Sequence, residues 1–279
     1  MRFVVVTGAN KGIGYGIVKG LLSNSSVSSR VYLTSRDEER GKRALEQVVA
    51  ETKHLWAPET SVEYHQLDIT SDTSISAFTT HLLEKFGQKC VNILIDNAGY
   101  ASKGPEFSGD IVKQTMDINY FGTVKFTERM MDLMSTDSKV IILSSVLGKL
   151  YNVPEKLQHI YSDPNLTMDQ LNHIQHDFVQ AAYEGTCKEK GYSTNSYSFS
   201  KVAISAYARV LARRFAADPR RIFIASCHPG WIRTDMGGQN APHDVDYGIK
   251  TPLYLVNEYI KNLLQYSGNY FSESKVEEW

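Results

Sequence analysis

The chain has 279 residues, 42% of them hydrophobic, and its 30 basic residues nearly cancel 31 acidic ones. That length and apolar content suffice for a sizeable core in one large domain or two small ones, and the charge balance leaves no footprint for nucleic acid or another polyanion. No apolar run approaches the ~20 residues of a membrane helix, no charged-then-apolar leader precedes the opening strand-like run, and three scattered cysteines (Cys90, Cys187, Cys227) without CxxC spacing suggest a reduced, cytoplasmic protein with no zinc site.

Short β-branched runs alternate with longer amphipathic stretches. Strands are predicted at Phe3–Val6, Arg30–Thr34, Val62–Leu67, Val91–Ile95, Lys139–Leu143, Ile222–Cys227 and Asn269–Phe271. Several are apolar nearly throughout, which suits strands covered on both faces. Helices are predicted at Ile13–Leu22, Glu38–Lys53, Thr73–Phe86, Ile111–Met134 and Ser196–Ala217. In the last of these, Val202, Ala203, Ala206, Tyr207, Val210 and Leu211 recur at three and four. Such alternation predicts a doubly wound α/β sheet with right-handed crossovers. From about Lys149 to Tyr192 the rhythm stops: Pro154 and Pro164 punctuate a region without a strand, and Met168–Tyr183 reads as helical and polar. This is expected to be a helical insertion rather than a second domain.

Thr7-Gly8-Ala9-Asn10-Lys11-Gly12-Ile13-Gly14 follows the first strand and opens the first helix. Glycines there permit a tight turn and close approach of phosphate to backbone, and the helix N-terminus attracts an anion. A tight strand–helix turn alone also needs glycine, so position carries the reading. The second strand ends Leu33-Thr34-Ser35-Arg36. An NAD enzyme usually has Asp or Glu there for the ribose hydroxyls, whereas Arg36 can pair a 2′-phosphate through its fork of donors. Lys11 and Arg36 are each as readily ordinary surface cations; together they favour NADP(H), with Asp37 tempering the choice.

Tyr197-Ser198-Phe199-Ser200-Lys201 places tyrosine and lysine four apart, on one helix face. A free phenol titrates near 10, and a neighbouring ammonium stabilises phenolate, so the pair suits proton transfer to a carbonyl oxygen. In isolation it reads as an exposed helical pair. Asp96-Asn97-Ala98-Gly99 ends the fourth strand and Ser144-Ser145 the fifth, both at the carboxyl edge where such sheets bind ligands. A serine there can donate to a developing oxyanion, although serines after strands are usually turn formers. Asn119 stands inside a predicted helix, where asparagine has poor propensity.

These motifs, in this order from Thr7 to Lys201, resemble the short-chain dehydrogenase/reductase family. The resemblance implies a single Rossmann-type domain with a roughly seven-stranded parallel sheet. It implies a catalytic tetrad of Asn119, Ser145, Tyr197 and Lys201, with Ser145 preferred as the second of its pair. Tyr197 would be the general acid, Lys201 would bind the nicotinamide ribose and lower the phenol, and Asn119 would hold a relay water. Asp68 and Ile69 would lie at adenine, with Asn97, Ala98 and Gly99 also on the cofactor.

Within the family the sequence is similar to monomeric NADPH-dependent carbonyl reductases, by the long gap between Ser145 and Tyr197, by Cys227–Met236 and by Gly268–Trp279. That likeness implies that Pro229, Gly230, Ile232 and Thr234 hold the nicotinamide carboxamide and phosphates. Leu147, Trp231 and Met236, with Ser145 and Tyr197, would wall an apolar pocket for a small carbonyl substrate, such as a ketone, quinone or aldehyde. For Trp231 alone, core packing is the ordinary reading. The sequence departs at Asp96, where Asn is usual, at His228, where Cys is frequent, and at a shorter Tyr100–Phe107 loop, so binding of glutathione conjugates is not carried over.

Other patterns carry less. His173 and His176 share a helix face but lack further metal ligands, no GxSxG elbow accompanies Ser145, and Arg213-Arg214 and Arg220-Arg221 read as a helix end and turn. The Asn24-Ser25-Ser26 and Asn165-Leu166-Thr167 sequons read as chance. The alternatives are a silent NADP(H)-binding regulator, against which the intact tetrad argues, and a hydroxysteroid or retinoid dehydrogenase of the same family.

Overall fold

Eight strands form one sheet: β1 (Arg2–Val6), β2 (Ser29–Ser35), β3 (Ser61–Gln66), β4 (Val91–Asp96), β5 (Met134–Leu143), β6 (Phe223–Cys227), β7 (Tyr270–Ser272) and β8 (Lys275–Glu277), ordered β3-β2-β1-β4-β5-β6-β7-β8. The computed structural model describes every residue except Ser25 and Pro105. The middle of the Asn24 sequon and one residue of the Tyr100–Phe107 loop therefore lie outside the described residues. All pairings are parallel except β7 with β8.

Strand order explains the continuous apolar runs. Val5, Leu94, Val140 and Ile142 enter one core layer, while their neighbours Val4, Val6, Ile93, Ile95 and Ile141 enter the other. Both faces are covered by helices: α1 (Gly12–Leu22), α2 (Glu38–Thr52), α3 (Asp72–Phe86), α4 (Gly109–Met116), α5 (Thr123–Met130), α6 (Glu155–Ser162), α7 (Met168–Glu184), α8 (Ser196–Arg214), α9 (Val245–Gly248), α10 (Lys250–Asn257) and α11 (Ile260–Leu263). Among the described residues, no helix is long and apolar enough to cross a membrane.

Three sequence expectations change. The sheet has an eighth, antiparallel strand. Glu273 and Ser274 turn between β7 and β8 with φ of 46° and 63°, the double positive φ of a tight hairpin that usually announces itself with glycine or asparagine. The single helix expected over Ile111–Met134 is instead α4, a π-helical turn at Asp117–Gly122, α5 and a 3-10 turn. Gly122 makes the wide turn possible: a Cβ there would stand 2.8 Å from the Asp117 carbonyl and 3.0 Å from that of Ile69. Finally, β5 starts at Met134 rather than Lys139, because an irregularity containing Asp137 (φ 58°) absorbs extra residues against β4.

The region 149–192 holds α6 and α7 and no strand. A reciprocal cap between Thr167 and Gln170 starts α7, and Gly185 in a left-handed conformation ends it. The helix packs on α4 and α8. Phe178 stacks on Phe199 with centroids 4.0 Å apart, and the Tyr120 hydroxyl donates to Asn172 at 2.8 Å. His176 stacks on Phe121.

Asp96, at the end of β4, is 4% exposed. One carboxylate oxygen accepts from the Thr127 hydroxyl at 2.8 Å and the other has no partner. Burial pushes this carboxyl up to about 7, against a small opposing effect of Thr127. Because its folded value lies above its ordinary 3.8, the folded state holds an extra proton between these limits. Its contribution is full below about pH 4 and is lost as pH rises through about 7. Asp96→Asn, neutral at all pH, is expected to match wild type near pH 4 and to melt several degrees higher at pH 8. At ~1.4 kcal/mol per pH unit, the gain is capped at about 4 kcal/mol. Thermal melts at both pH values check this, and equal shifts at both would refute it.

Candidate active site

The order of the sheet reverses between β1 and β4, and the two strand ends diverge there into a crevice. The Thr7 hydroxyl accepts from the backbone amides of Asn97 and Ala98, both at 3.0 Å. The Asn97 amide donates back to the carbonyls of Thr7 (2.9 Å) and Gly8 (3.0 Å). Asn97 and Ala98 thus sit against the glycine turn. A Cβ on Gly8 would meet the Ala98 Cα at 2.8 Å, and one on Gly14 would meet Asn97 at 2.4 Å. Gly12 differs: its φ of +58° requires glycine, and its open side faces only the Thr234 methyl, at 3.4 Å. Asn10, Lys11 and Ile13 complete this turn. Side chains of Asp37, Ser71, Ser108, Thr167 and Asn195 cap α2, α3, α4, α7 and α8, but no side chain caps α1 at Lys11. The first amides of α1 therefore have no side-chain cap.

Arg36 is exposed at the end of β2. Asp37, which tempered the cofactor choice, accepts from the Arg40 amide at 2.9 Å as the α2 cap. Lys11 pairs with Asp235 at 2.7 Å, across to the segment after β6. After β3, the Asp68 carboxylate accepts from the amide and hydroxyl of Thr70 (2.9 and 2.7 Å), and Ile69 is buried.

Ser144 and Ser145 leave β5 in opposite directions. Ser144 Oγ donates to the Lys201 carbonyl at 3.0 Å and bonds Ser205 at 2.8 Å, so it pins α8. Ser145 Oγ accepts only the Leu147 amide, at 3.2 Å, and stands beside Tyr197. Lys201 is 5% exposed, with Nζ 5.9 Å from the Tyr197 ring centre, and it donates to the Leu143 carbonyl at 2.9 Å. Burial lowers its ammonium to about 8. Burial also pushes the Tyr197 phenol up, with Ser145 acting downward. The Lys201 ammonium is turned to the end of β5, and at the phenol burial outweighs Ser145.

Asn119 lies in the π turn, 1% exposed. Its side chain accepts from the Tyr100 amide at 2.7 Å and donates to the Tyr100 carbonyl (2.8 Å) and Ser200 (2.9 Å). A Cβ on Gly99 would be 3.5 Å from both Asn119 Oδ1 and Lys201 Nζ. The structure thus gathers Gly99, Asn119, Ser145, Tyr197 and Lys201. The side chain of Asn119 is engaged as a clamp on Tyr100.

After β6, Pro229, Gly230, Ile232 and Thr234 form a loop folded on itself: Ile232 bridges to His243, and the Thr234 hydroxyl accepts from Gly237 at 3.1 Å. Trp231, Met236 and Leu147 are 52%, 49% and 39% exposed, so they present apolar surface from the loops after adjacent strands. Core packing of Trp231 is excluded; its indole donates to the Gly237 carbonyl at 2.8 Å. Sequence reasoning missed Gly148, whose Cβ would stand 2.2 Å from Ser144 Oγ and 2.9 Å from the Lys201 carbonyl. Its only signal was a glycine three residues after the serine.

Fold and site together define a dinucleotide-dependent oxidoreductase of the doubly wound type. The sequence profile described as short chain dehydrogenase matches residues 2–162. The chain is 32% identical to carbonyl reductase (NADPH) 1 of Mus musculus, covering 99% of this chain and 97% of that one. Salutaridine reductase of Papaver somniferum superposes with a TM-score of 0.83 at 23% identity, over 98% of this chain and 100% of that one. An NADPH-bound carbonyl reductase from chicken fatty liver superposes at 0.69 with 24% identity, over 100% and 99%. The chain belongs to the short chain dehydrogenase family.

Gly148→Ala is expected to force α8 and the Ser145 turn apart, at about 1–3 kcal/mol, the usual cost of overpacking. Denaturant melts measure this, and a wild-type midpoint would show that the turn can yield.

Proposed function

We propose that this protein is an NADPH-dependent carbonyl reductase that reduces ketones, quinones or aldehydes to alcohols and acts as a monomer. The observation that carries the reading is the group of buried Ser145, Lys201 and Asn119 with half-buried Tyr197, beside an uncapped helix opened by a glycine turn. The full-length similarity to a carbonyl reductase supports the substrate class. The packing of α7 on α4 and α8 supports the monomer, since a helix face so covered is withdrawn from a second chain.

The residues present fit NADPH. Gly12 leaves room for a phosphate against the free amides of α1, and Arg36 and Lys11 are exposed cations at the adjoining strand ends. Asp68, Ile69 and Asn97–Gly99 would flank the adenosine side, and Pro229, Gly230, Ile232 and Thr234 the nicotinamide side. When bound, NADPH supplies the hydride. Tyr197 hands its phenolic proton to the carbonyl oxygen. Ser145 donates to the same oxygen as charge develops there. Lys201 stabilises the phenolate left behind, and Asn119 fixes Tyr100 at the rim. Leu147, Trp231 and Met236 offer apolar contact to the substrate body.

Oxidation of NADPH followed at 340 nm with a panel of quinones, aromatic ketones and aldehydes tests the reading. Tyr197→Phe is expected to abolish turnover and keep NADPH binding; retained turnover would remove Tyr197 from the chemistry. Arg36→Ala is expected to erode the preference for NADPH over NADH. With Lys201 lowered to about 8, its charge is lost as pH rises through that value. The kcat/KM for reduction is accordingly expected to decline above about pH 8, and a flat profile to pH 10 would contradict this.

A further inference from the structure

We propose that Glu277 is a positioning residue that joins the turn carrying Ser145 to the loop carrying Gly230. One carboxylate oxygen is paired with the Lys149 ammonium, at the far end of the Ser145–Gly148 turn. The other is 3.2 Å from Nε2 of His228. On the opposite side of that ring, Nδ1 accepts from the Gly230 amide at 3.1 Å. A ring nitrogen that accepts carries no proton, so the hydrogen-bond network assigns the proton to Nε2, which donates to Glu277. Glu277 therefore fixes the tautomer that lets His228 hold Gly230.

The three side chains are withdrawn from solvent, at 30%, 17% and 13% exposure for Glu277, Lys149 and His228. Burial alone would raise the Glu277 carboxyl, but Lys149, Ser272 and His228 hold it at about 2. Two neutral ties from the same hairpin land on the same turn: the Tyr270 hydroxyl donates to the Ser145 carbonyl at 2.5 Å, and the Trp279 indole donates to the Gly148 carbonyl at 2.6 Å. The hairpin of β7 and β8 thus holds the Ser145 turn at both ends, and Glu277 extends the hold to the loop after β6, beside the His228 amide, which donates to the Phe271 carbonyl at 3.0 Å. What those two segments do in catalysis rests on the reductase reading; that Glu277 sets their placement does not.

Lys149→Met and His228→Phe each break one tie, and Glu277→Gln weakens both. The measurements are kcat with a quinone, NADPH affinity by protein fluorescence, and the His228 ring by 15N–1H NMR, all well below each melting temperature. Lys149→Met is expected to lower kcat about tenfold, the scale of a sub-ångström misplacement, with NADPH affinity unchanged. His228→Phe is expected to weaken NADPH by a similar factor. Glu277→Gln should do both and move the Nε2–H signal of His228 upfield, because a carboxamide oxygen accepts more weakly than a carboxylate, and Glu277→Asp should restore part of each. Wild-type kcat and affinity in all three variants, or an unchanged ring spectrum in Glu277→Gln, would overturn the proposal. If wild type itself neither binds NADPH nor turns over, the reductase reading fails. The ring spectrum of Glu277→Gln then decides alone: an upfield shift of the Nε2–H signal supports the tie and an unshifted signal overturns it.

Discussion

Two strand ends that part company at the switch point each leave backbone groups to satisfy, and the crevice exists only if something other than a third strand satisfies them. Thr7 does so from β1, accepting two amides of the chain leaving β4, and Asn97 does so from β4, donating to two carbonyls leaving β1. The exchange is compact because Gly8 and Gly14 lack a Cβ at the points of closest approach. With the turn held this way, α1 begins at the crevice with no side-chain cap on its first amides.

The chemistry on the other side of the crevice depends on a second reconciliation, between β5 and α8. Adjacent residues of extended chain point in opposite directions, so Ser144 and Ser145 divide their labour: one anchors α8 through the Lys201 carbonyl and Ser205, and the other keeps its hydroxyl beside Tyr197. Because α8 is buried along most of its length, Tyr197 and Lys201 share a dry environment. Desolvation moves phenol and ammonium toward their neutral forms, one up and one down, and so drives apart the titrations of two groups that in water would titrate at similar values. A free Tyr–Lys pair on a helix surface would have no such property.

The sequence made the sheet readable because strands covered on both faces cannot hide an apolar run; the same rule silences β8, an edge strand with exposed Lys275 and Val276, whose turn uses positive φ at two residues that are not glycine. The glycine turn, the strand-end motifs and the Tyr–Lys pair were legible from residue type and position. What each side chain touches was not. Asp37 looked like a competitor for a ribose and is a helix cap. Lys11 looked free and is paired with Asp235. Asn119 read as a poor helix former, and its side chain clamps Tyr100. Trp231 carried an ordinary core reading and stands half exposed. Contacts between residues far apart in sequence decide such matters, and neither spacing nor composition encodes them.

The π turn at Asp117–Gly122 sets a length as well as a shape. A regular helix advances about 100° per residue, so straightening the turn to ordinary winding with its extra residue kept would rotate everything beyond it by about that angle. Phe126, Thr127 and Met130 would then leave the core, and Thr127 would lose Asp96. The added residue is also what aims Asn119 at Tyr100 while α5 keeps its own face to the sheet. Between α4 and the sheet, therefore, this stretch of chain is fixed in residue count. Insertions and deletions belong in the surface loops, and variation here is confined to exchanging one side chain for another.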